Sequence, residues 1–328
     1  MSATEASKPN YGRRIIWLTA FVALLFGGYS LGWFYLAGKL EAKAKATLTA
    51  MNRDGVVAEC TNPVARGYPF RLGLFCDRVA FEDAGRGVSM SAGSFRSAGQ
   101  IYDPMRLVAE IDGPARVDVP QGQPLALTWD NLRASVRLAQ PLPERVSLEG
   151  KMLKAATDAG APLASAETFE GHMRPNGEDL DLAGSFAGLA LDASLVEGRS
   201  VPLLSGDTDL TVKNGVALVR QKARSLRGQS GTIRTLDLST SETAGVSLSG
   251  PFSVDKDGLL NAQFKLTVRD PQGLAMALSE AIPEKSEQIQ QGFAALAMLG
   301  SSPSLPLKIS KGRASLGFIK LGNVPPLK

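Results

Sequence analysis

The chain has 328 residues, with 36 Lys and Arg against 32 Asp and Glu, and its formal charge of +4 is scattered rather than clustered. Nucleic-acid recognition, which needs basic residues gathered on one face and interleaved with aromatics, finds no support in that pattern. Two cysteines too far apart for a CxxC motif, and one histidine (His172), leave too few ligands for a mixed zinc site.

Residues Met1 to Tyr11 are polar, include Pro9 and Asn10, and read as a disordered tail; together with Arg13 and Arg14 they make a segment 1–14 expected in the cytoplasm. From Ile15 to Ala37 the chain carries no charge. About 20 apolar residues in a helix rise about 30 Å, the thickness of a bilayer's hydrocarbon core. Trp17 near one end and Trp33 and Tyr35 near the other suit the two interfacial belts. A cleaved signal peptide has a shorter apolar run of about 7–15 residues. The small-x-small sites available, Ala42-Lys43-Ala44 and Ala44-Lys45-Ala46, fall in a charged helical segment, so segment 15–37 is read as an uncleaved transmembrane anchor. Basic residues flank it almost evenly, with Lys8, Arg13 and Arg14 before it and Lys39, Lys43, Lys45 and Arg53 after it. Long domains translocate largely regardless of charge, so Arg13-Arg14 beside the span decides, and the large C-terminal domain is expected outside the cytoplasm.

Segment 38–54 holds strong helix formers with Leu40, Ala44, Leu48 and Met51 at helical spacing, which predicts a helical stalk ending at Asp54-Gly55. The rest, 55–328, is rich in glycine and poor in aromatics, and its apolar residues mostly stand singly between polar ones. That is the pattern of strands and turns. In the stretch Gly67-Tyr68-Pro69-Phe70-Arg71, alternation starts at Phe70, runs through Leu72, Leu74 and Cys76, and resumes at Val79 and Phe81 after a one-residue shift at Asp77. Such a shift predicts a bulge. Tyr68 and Phe70 read either as a recognition site or as the aromatic plug of a hairpin. Cys60 and Cys76 would be two small buried hydrophobes in a reducing compartment. In an oxidising one they would form a disulfide worth about 3 kcal/mol for a loop of ~15 residues, and the anchor in front favours the disulfide.

A span, a short helix and then Gly-Tyr/Phe-Pro-Phe-Arg between two cysteines resembles a family of alphaproteobacterial membrane-anchored proteins of unknown function. The closing run, from Leu305-Pro306-Leu307-Lys308-Ile309 through Gly317-Phe318 to Val324-Pro325-Pro326-Leu327, is similar to the ends of that family. More remotely, the chain is similar to the AsmA-like envelope proteins, whose single anchor carries a long β-rich periplasmic body. The resemblance implies a bacterial inner-membrane protein facing the periplasm. It implies no reaction and carries over no catalytic residue.

Further along, Asn176-Gly177, Asn214-Gly215 and Asp257-Gly258 each sit between alternating runs and predict tight hairpin turns. Leu125 to Trp129 alternates, breaks at Asp130-Asn131 and resumes at Leu132, which predicts a kinked or bulged strand. Successive hairpins make a meander. Asp270-Pro271 offers an N-cap with proline in the first turn, and Pro283 ends the helix. A second helix over 284–299, with Ile289, Phe293 and Leu296 on one stripe, is expected to pack on the sheet. Strands at Leu305–Ile309 and Ala314–Ile319, joined through Lys311-Gly312, close the domain. The expected fold is therefore mainly β with a few helices: an N-terminal transmembrane helix, an elongated antiparallel β-meander and a late helical pair.

Chemistry is sparse. His172 reads as a solvent-facing strand residue, no Gly-x-Ser-x-Gly elbow is present, and Gly85-Arg86-Gly87 and Gly228-Gln229-Ser230-Gly231 lack the lysine and strand–turn–helix setting of a phosphate loop. The acids Glu178, Asp179 and Asp181 read as a solvated strand shoulder rather than a calcium site. The expectation is a protein that is not an enzyme, holds no cofactor or metal, binds no nucleic acid and has an envelope role at the inner membrane. Its ligand is expected to be lipid or another apolar molecule; the alternative is a scaffold or assembly factor that binds a protein partner through sheet edges or loops. A phosphatase reporter fused after Lys328 should be active in an export-competent host, and a stable but inactive fusion would overturn the orientation.

Overall fold

The computed structural model describes residues 11–328 apart from 121, 222, 224, 318 and 328, so the polar tail expected before Tyr11 lies outside the described residues. Helix α1 runs without a break from Tyr11 to Met51, and takes in residues 11–14, which were expected in the tail. It is long and apolar enough to cross a membrane. Beyond Gly38 its Ala, Leu, Lys and Glu residues sustain the helix by propensity.

Five long strands follow, each interrupted near its middle. β1 (Val56–Thr61) continues as β2 (Val64–Arg66), and β3 (Arg71–Cys76) as β4 (Arg78–Asp83). β5 (Val88–Ala92) continues as β6 (Phe95–Gln100), β7 (Asp103–Ile111) as β8 (Ala115–Asp118), and β9 (Leu125–Thr128) as β10 (Asn131–Arg137). One set of halves pairs in the order β2-β3-β6-β7-β10, the other in the order β1-β4-β5-β8-β9. Both sets end on β11 (Arg145–Thr157), which pairs with β10 over its first half and with β9 over its last residues. From there the meander is plain. β12 (Pro162–Asn176), β13 (Asp179–Leu191), β14 (Leu204–Val212), β15 (Ser230–Ser239) and β16 (Gly245–Val254) each pair antiparallel with the next. β17 (Leu260–Arg269), β18 (Ser304–Ser310), β19 (Arg313–Leu316) and β20 (Ile319–Asn323) continue in the same way. The result is a single antiparallel sheet in which neighbours in sequence are neighbours in space.

The interruptions line up into a crease. Leu72, Leu74 and Cys76 share a face with Val79 and Phe81, which is possible only because Asp77 lies between the strands and switches the parity. Cross-strand register carries the same switch to Gly93-Ser94, Trp129-Asp130 and Met152, and on to Gly188 in β13. Met152 and Gly188 both have positive φ, and a Cβ at Gly188 would stand 2.7 Å from the Glu167 side chain. Since a one-residue slip turns a strand over, the extra residue must recur strand after strand to hold all the apolar side chains on one face. Small buried residues, Cys76, Ala92 and Ala115, lie beside this line. Trp129 fills it, its indole N–H donating to the Ile111 carbonyl at 2.7 Å with the ring against Gly113.

Three local expectations meet different outcomes. Asn176-Gly177 joins β12 to β13, and Asp257-Gly258 joins β16 to β17. Asn214-Gly215 does not make a hairpin. Asn214, in the left-handed region, starts a short helix α2 (Gly215–Arg220) whose buried Val216 donates its N–H to the Glu178 carbonyl at 3.1 Å, and the true partner of β14 begins only at Ser230. Hairpin pairing at this point would have drawn Val216 away from its buried place at the end of β13. The last predicted strand is cut at Gly317, in the left-handed region, which turns the chain back as β20.

The late helices are α3 (Pro271–Ala281), capped by the Asp270 carboxylate accepting from the Gly273 N–H at 3.0 Å, and α4 (Ser286–Ala297). Leu274, Leu278, Phe293 and Leu296 pack on Ala244, Val246 and Val268 of the sheet. A second cluster, Ala262, Phe264 and Ile309 with Val324, lies on the same face.

Cys60 and Cys76 are joined, with their Cα atoms 5.3 Å apart. Their strands do not pair with one another: β1 pairs with β4, while β3 pairs with β2 and β6. The bond therefore ties the two halves of the sheet across the crease. Loss of a disulfide in a small domain commonly costs about 2–5 kcal/mol. In a body this large the loss should appear as local opening, so Cys60→Ser or Cys76→Ser should make the 60–76 segment the first site of limited proteolysis while the rest of the domain resists. Non-reduced protein from an oxidising compartment should show no reactive thiol, native or denatured.

Candidate functional site

Cross-strand register places Met90, Leu107, Leu148, Phe169, Leu236 and Leu238 on one face of the sheet, and each is between 38% and 43% exposed. An apolar stripe that runs unbroken across so many strands exceeds the scattered surface hydrophobics of an ordinary soluble domain. Among the described residues, the α3–α4 pair, the C-terminal segment at Val324 and the connection between β13 and β14 cover parts of it.

At the edge of the α3–α4 cover the stripe deepens into a cavity of about 610 Å³. Its walls are apolar: Leu204, Leu238 and Val246 from the sheet, Leu274, Leu278 and Phe293 from the helices. The connection between β13 and β14 closes one side with Leu195, Val196, Val201 and Pro202, and Asp192 shapes that connection by accepting from the Ser194 N–H at 2.9 Å. Its polar lining residues are Glu197, Thr240 and Arg199, whose guanidinium pairs with Glu284 at 3.2 Å and Glu197 at 3.9 Å. An apolar chamber with a few polar groups at its entrance is the usual form of a site for an apolar ligand. Sequence reasoning missed it. The one signal was a loop that keeps five apolar residues, Leu195, Val196, Val201, Leu203 and Leu204, where solvent exposure would favour polar ones.

The opposite face is a ladder of cross-strand pairs between arginines and carboxylates. Arg133 meets Glu149, Arg96 meets Asp112 at 2.6 Å, Arg269 meets Asp237, and Arg234 meets Asp209. At its centre Asp181, only 5% exposed, accepts from the Thr211 hydroxyl at 2.7 Å and pairs with Arg174 at 3.1 Å and Arg234 at 3.4 Å. The Thr211 hydrogen bond and then the two guanidiniums hold the Asp181 carboxyl below the ordinary range, and Arg234 does the same for Asp209. Two of the acids of 178–181 are thus engaged by basic side chains, Asp181 as above and Asp179 by Lys213 at 2.6 Å, and no group of three or more metal-ligating side chains occurs among the described residues. His172 lies on this polar face, its Nδ1 2.9 Å from the Ser147 hydroxyl and its Nε2 3.5 Å from Glu170, beside a polar depression of about 590 Å³.

The Gly67–Arg71 stretch is the turn between β2 and β3, and it meets α1. Gly67 has φ +118°, and a Cβ there would lie 2.8 Å from the Arg71 carbonyl oxygen, so only glycine fits. Tyr68 stacks on Phe34 with ring centroids 5.7 Å apart and meets Trp33 edge-on at 5.5 Å. Trp33, 5% exposed, donates its indole N–H to the Arg71 carbonyl at 2.9 Å, and Tyr29 donates to the Pro69 carbonyl. Phe70 makes no such contact and is 67% exposed. Higher up, the Glu41 carboxylate accepts from the Ala65 N–H at 2.8 Å and Asn52 accepts from the Ala58 N–H at 2.6 Å, so α1 satisfies the open edge of β1 and β2.

One helix long and apolar enough to cross a membrane, laid along the edge of a β-meander with one ion-paired face and one open apolar face, defines a β-rich protein with an N-terminal candidate membrane span. Residues 33–325 match a family described as an uncharacterized protein conserved in bacteria, DUF2125, and the chain belongs to that family. No curated protein matches the chain.

The polar ladder makes stability depend on pH with a definite sign. Carboxyls whose folded pKa is lowered contribute stability above their unfolded value of about 3.9, and that stability is lost as pH falls through the folded values. Chemical unfolding should therefore show little change from pH 7 to about pH 5 and a fall below about pH 4. Arg234→Gln leaves Asp181 short of one partner and should cost about 1–3 kcal/mol at neutral pH. The gap between variant and wild type should narrow as the carboxyls protonate; an unchanging gap would show that Arg234 acts through packing alone.

Proposed function

We propose that this protein is a non-enzymatic component of the bacterial cell envelope, held in the inner membrane by α1 with its domain in the periplasm, which binds a lipid or similar apolar molecule on the open face of its sheet. The observation that carries the reading is the 610 Å³ apolar cavity under α3 and α4, continuous through Leu238 with the exposed stripe. A long acyl chain fits an elongated, featureless apolar track better than a compact solute does, because it needs contact area and no directional partners. Arg199, flanked by Glu284 and Glu197, is the basic group in the cavity lining that a polar headgroup would meet. The balanced pairing on the opposite face agrees with this reading.

Purified full-length protein should carry co-purifying lipid detectable by mass spectrometry and should bind a fluorescent fatty acid. One buried leucine contributes about 1.5–3 kcal/mol, so Leu238→Glu or Leu278→Glu should weaken that binding roughly tenfold or more. Arg174→Gln, on the polar face, should leave it unchanged. Equal binding by all three variants would sink the proposal.

A second reading rests on β20, whose residues Ile319 and Leu321 are exposed at the far edge of the sheet. That edge is free to accept a strand from a protein partner. Saturation by lipid with no protein bound would separate the two.

A further inference from the structure

The turns at one end of the sheet stand beside the part of α1 that would lie inside the bilayer. The contacts fix the height. Arg14 is the last charge before the apolar run, so the hydrocarbon core can begin no earlier than about Ile15. With a rise of 1.5 Å per residue, Tyr29 lies about 21 Å and Trp33 about 27 Å along the helix from Ile15, short of the roughly 30 Å that the core spans. Yet Tyr29 donates to the Pro69 carbonyl, Ser30 lies 2.8 Å from the Tyr68 hydroxyl, and Phe34 stacks on Tyr68. A later start for the core would place these contacts deeper still.

The neighbouring turn shares this position. The Ile101 N–H donates to the Phe70 carbonyl at 3.1 Å, which sets the β6–β7 turn beside the β2–β3 turn. The two tips read Gly67-Tyr68-Pro69-Phe70 and Ile101-Tyr102, and charge begins only beyond them, at Arg66, Arg71 and Asp103. Phe70 is 67% and Tyr102 75% exposed, and Met105, a little further along β7, is exposed as well. Just above the tips, Arg71 and Arg106 line a depression of about 300 Å³ and make no ion pair among the described residues, whereas Arg96, Arg133, Arg234 and Arg269 on that face are paired.

We infer that the β2–β3 and β6–β7 turns enter the bilayer leaflet on the domain's side, with Phe70 and Tyr102 below the phosphates of anionic phospholipids and Arg71 and Arg106 at their level. Exposed aromatics at a fixed depth gain from the interfacial region, and unpaired guanidiniums directly above them match the phosphate oxygens. Leu107, the next apolar-face residue on β7 after Met105, then starts the apolar stripe at the leaflet itself. Acyl chains would reach the sheet from the membrane without crossing water. This step rests on the anchor and on the lipid reading above, but its geometry stands apart from any bound ligand.

Spin-label accessibility in vesicles containing anionic phospholipid tests it directly. The disulfide occupies both native cysteines, so one added cysteine is the only thiol. Full-length Phe70→Cys and Tyr102→Cys, once labelled, should collide more with oxygen than with a water-soluble nickel chelate, as Leu24→Cys in the middle of the apolar run should. Glu242→Cys, in the exposed turn at the other end of the strands, should show several-fold higher chelate accessibility. Replacing Arg71 and Arg106 together with Gln should move the label at residue 102 towards water. Labels at 70 and 102 that behave like the one at 242, with 24 still shielded, would overturn the inference and leave the anchor and the ligand cavity intact. Exposure at 24 would overturn the anchor together with it, while fatty-acid binding by the cavity reports separately on the lipid reading.

Discussion

Period-two alternation carried through twenty hydrogen-bonded strands is the constraint on which this molecule depends. Every apolar residue on the open face is there because its strand is in register with the one before it. The crease is tolerated only because its extra residues recur from strand to strand. An isolated insertion would have turned the remainder of its strand over, burying arginines of the ladder and exposing Leu74 or Phe81 on the wrong side. The covalent bond between Cys60 and Cys76 sits where that requirement is strictest, at the first strands and across the line where the sheet divides.

The two faces divide the labour in a way that burial alone would not disclose. Among the described residues no large side chain is fully enclosed, and the buried hydrophobic positions are mostly alanine and valine, with Trp33, Leu180, Phe264, Leu274 and Ile309 the larger side chains among them. Stability must therefore come from the ladder of backbone hydrogen bonds, from stacking along each face, and from the network around Asp181 more than from a deep core. An open face without a core is costly in water, and the α3–α4 pair and the Val324 segment reduce that cost without removing it. What remains exposed is the part available to a ligand.

Much of this was readable from residues. The uncharged run before Gly38, the Asn-Gly and Asp-Gly turns after β12 and β16, the shift at Asp77 and the break at Asp130 all have local causes, and local causes leave local signatures. Asn214-Gly215 shows the limit: the same dipeptide opens a helix where Gly215 lies tight against Leu180 and the buried Val216 donates its N–H to the Glu178 carbonyl, contacts that no window around residue 214 contains. The role of Tyr68 was illegible for a similar reason. Its partners Trp33 and Phe34 lie more than thirty residues earlier, inside a segment whose composition already had a sufficient explanation as a membrane span. The cavity at Leu195–Leu204 depends on helices that arrive much later in the chain, so its apolar loop looked like noise.

The seam between α1 and the sheet has a mechanical consequence. Hydrogen bonds at Tyr29, Trp33, Glu41 and Asn52 fasten the helix to the domain at four heights, and the helix has no hinge between them. A domain on a flexible tether tumbles and explores a hemisphere. Under the proposed anchoring this one could only turn about its mast, so whatever stands on the sheet would keep a constant elevation and inclination. Any molecule diffusing in the same plane would then have a single angle to search, and encounter would be a problem in one dimension of rotation instead of three.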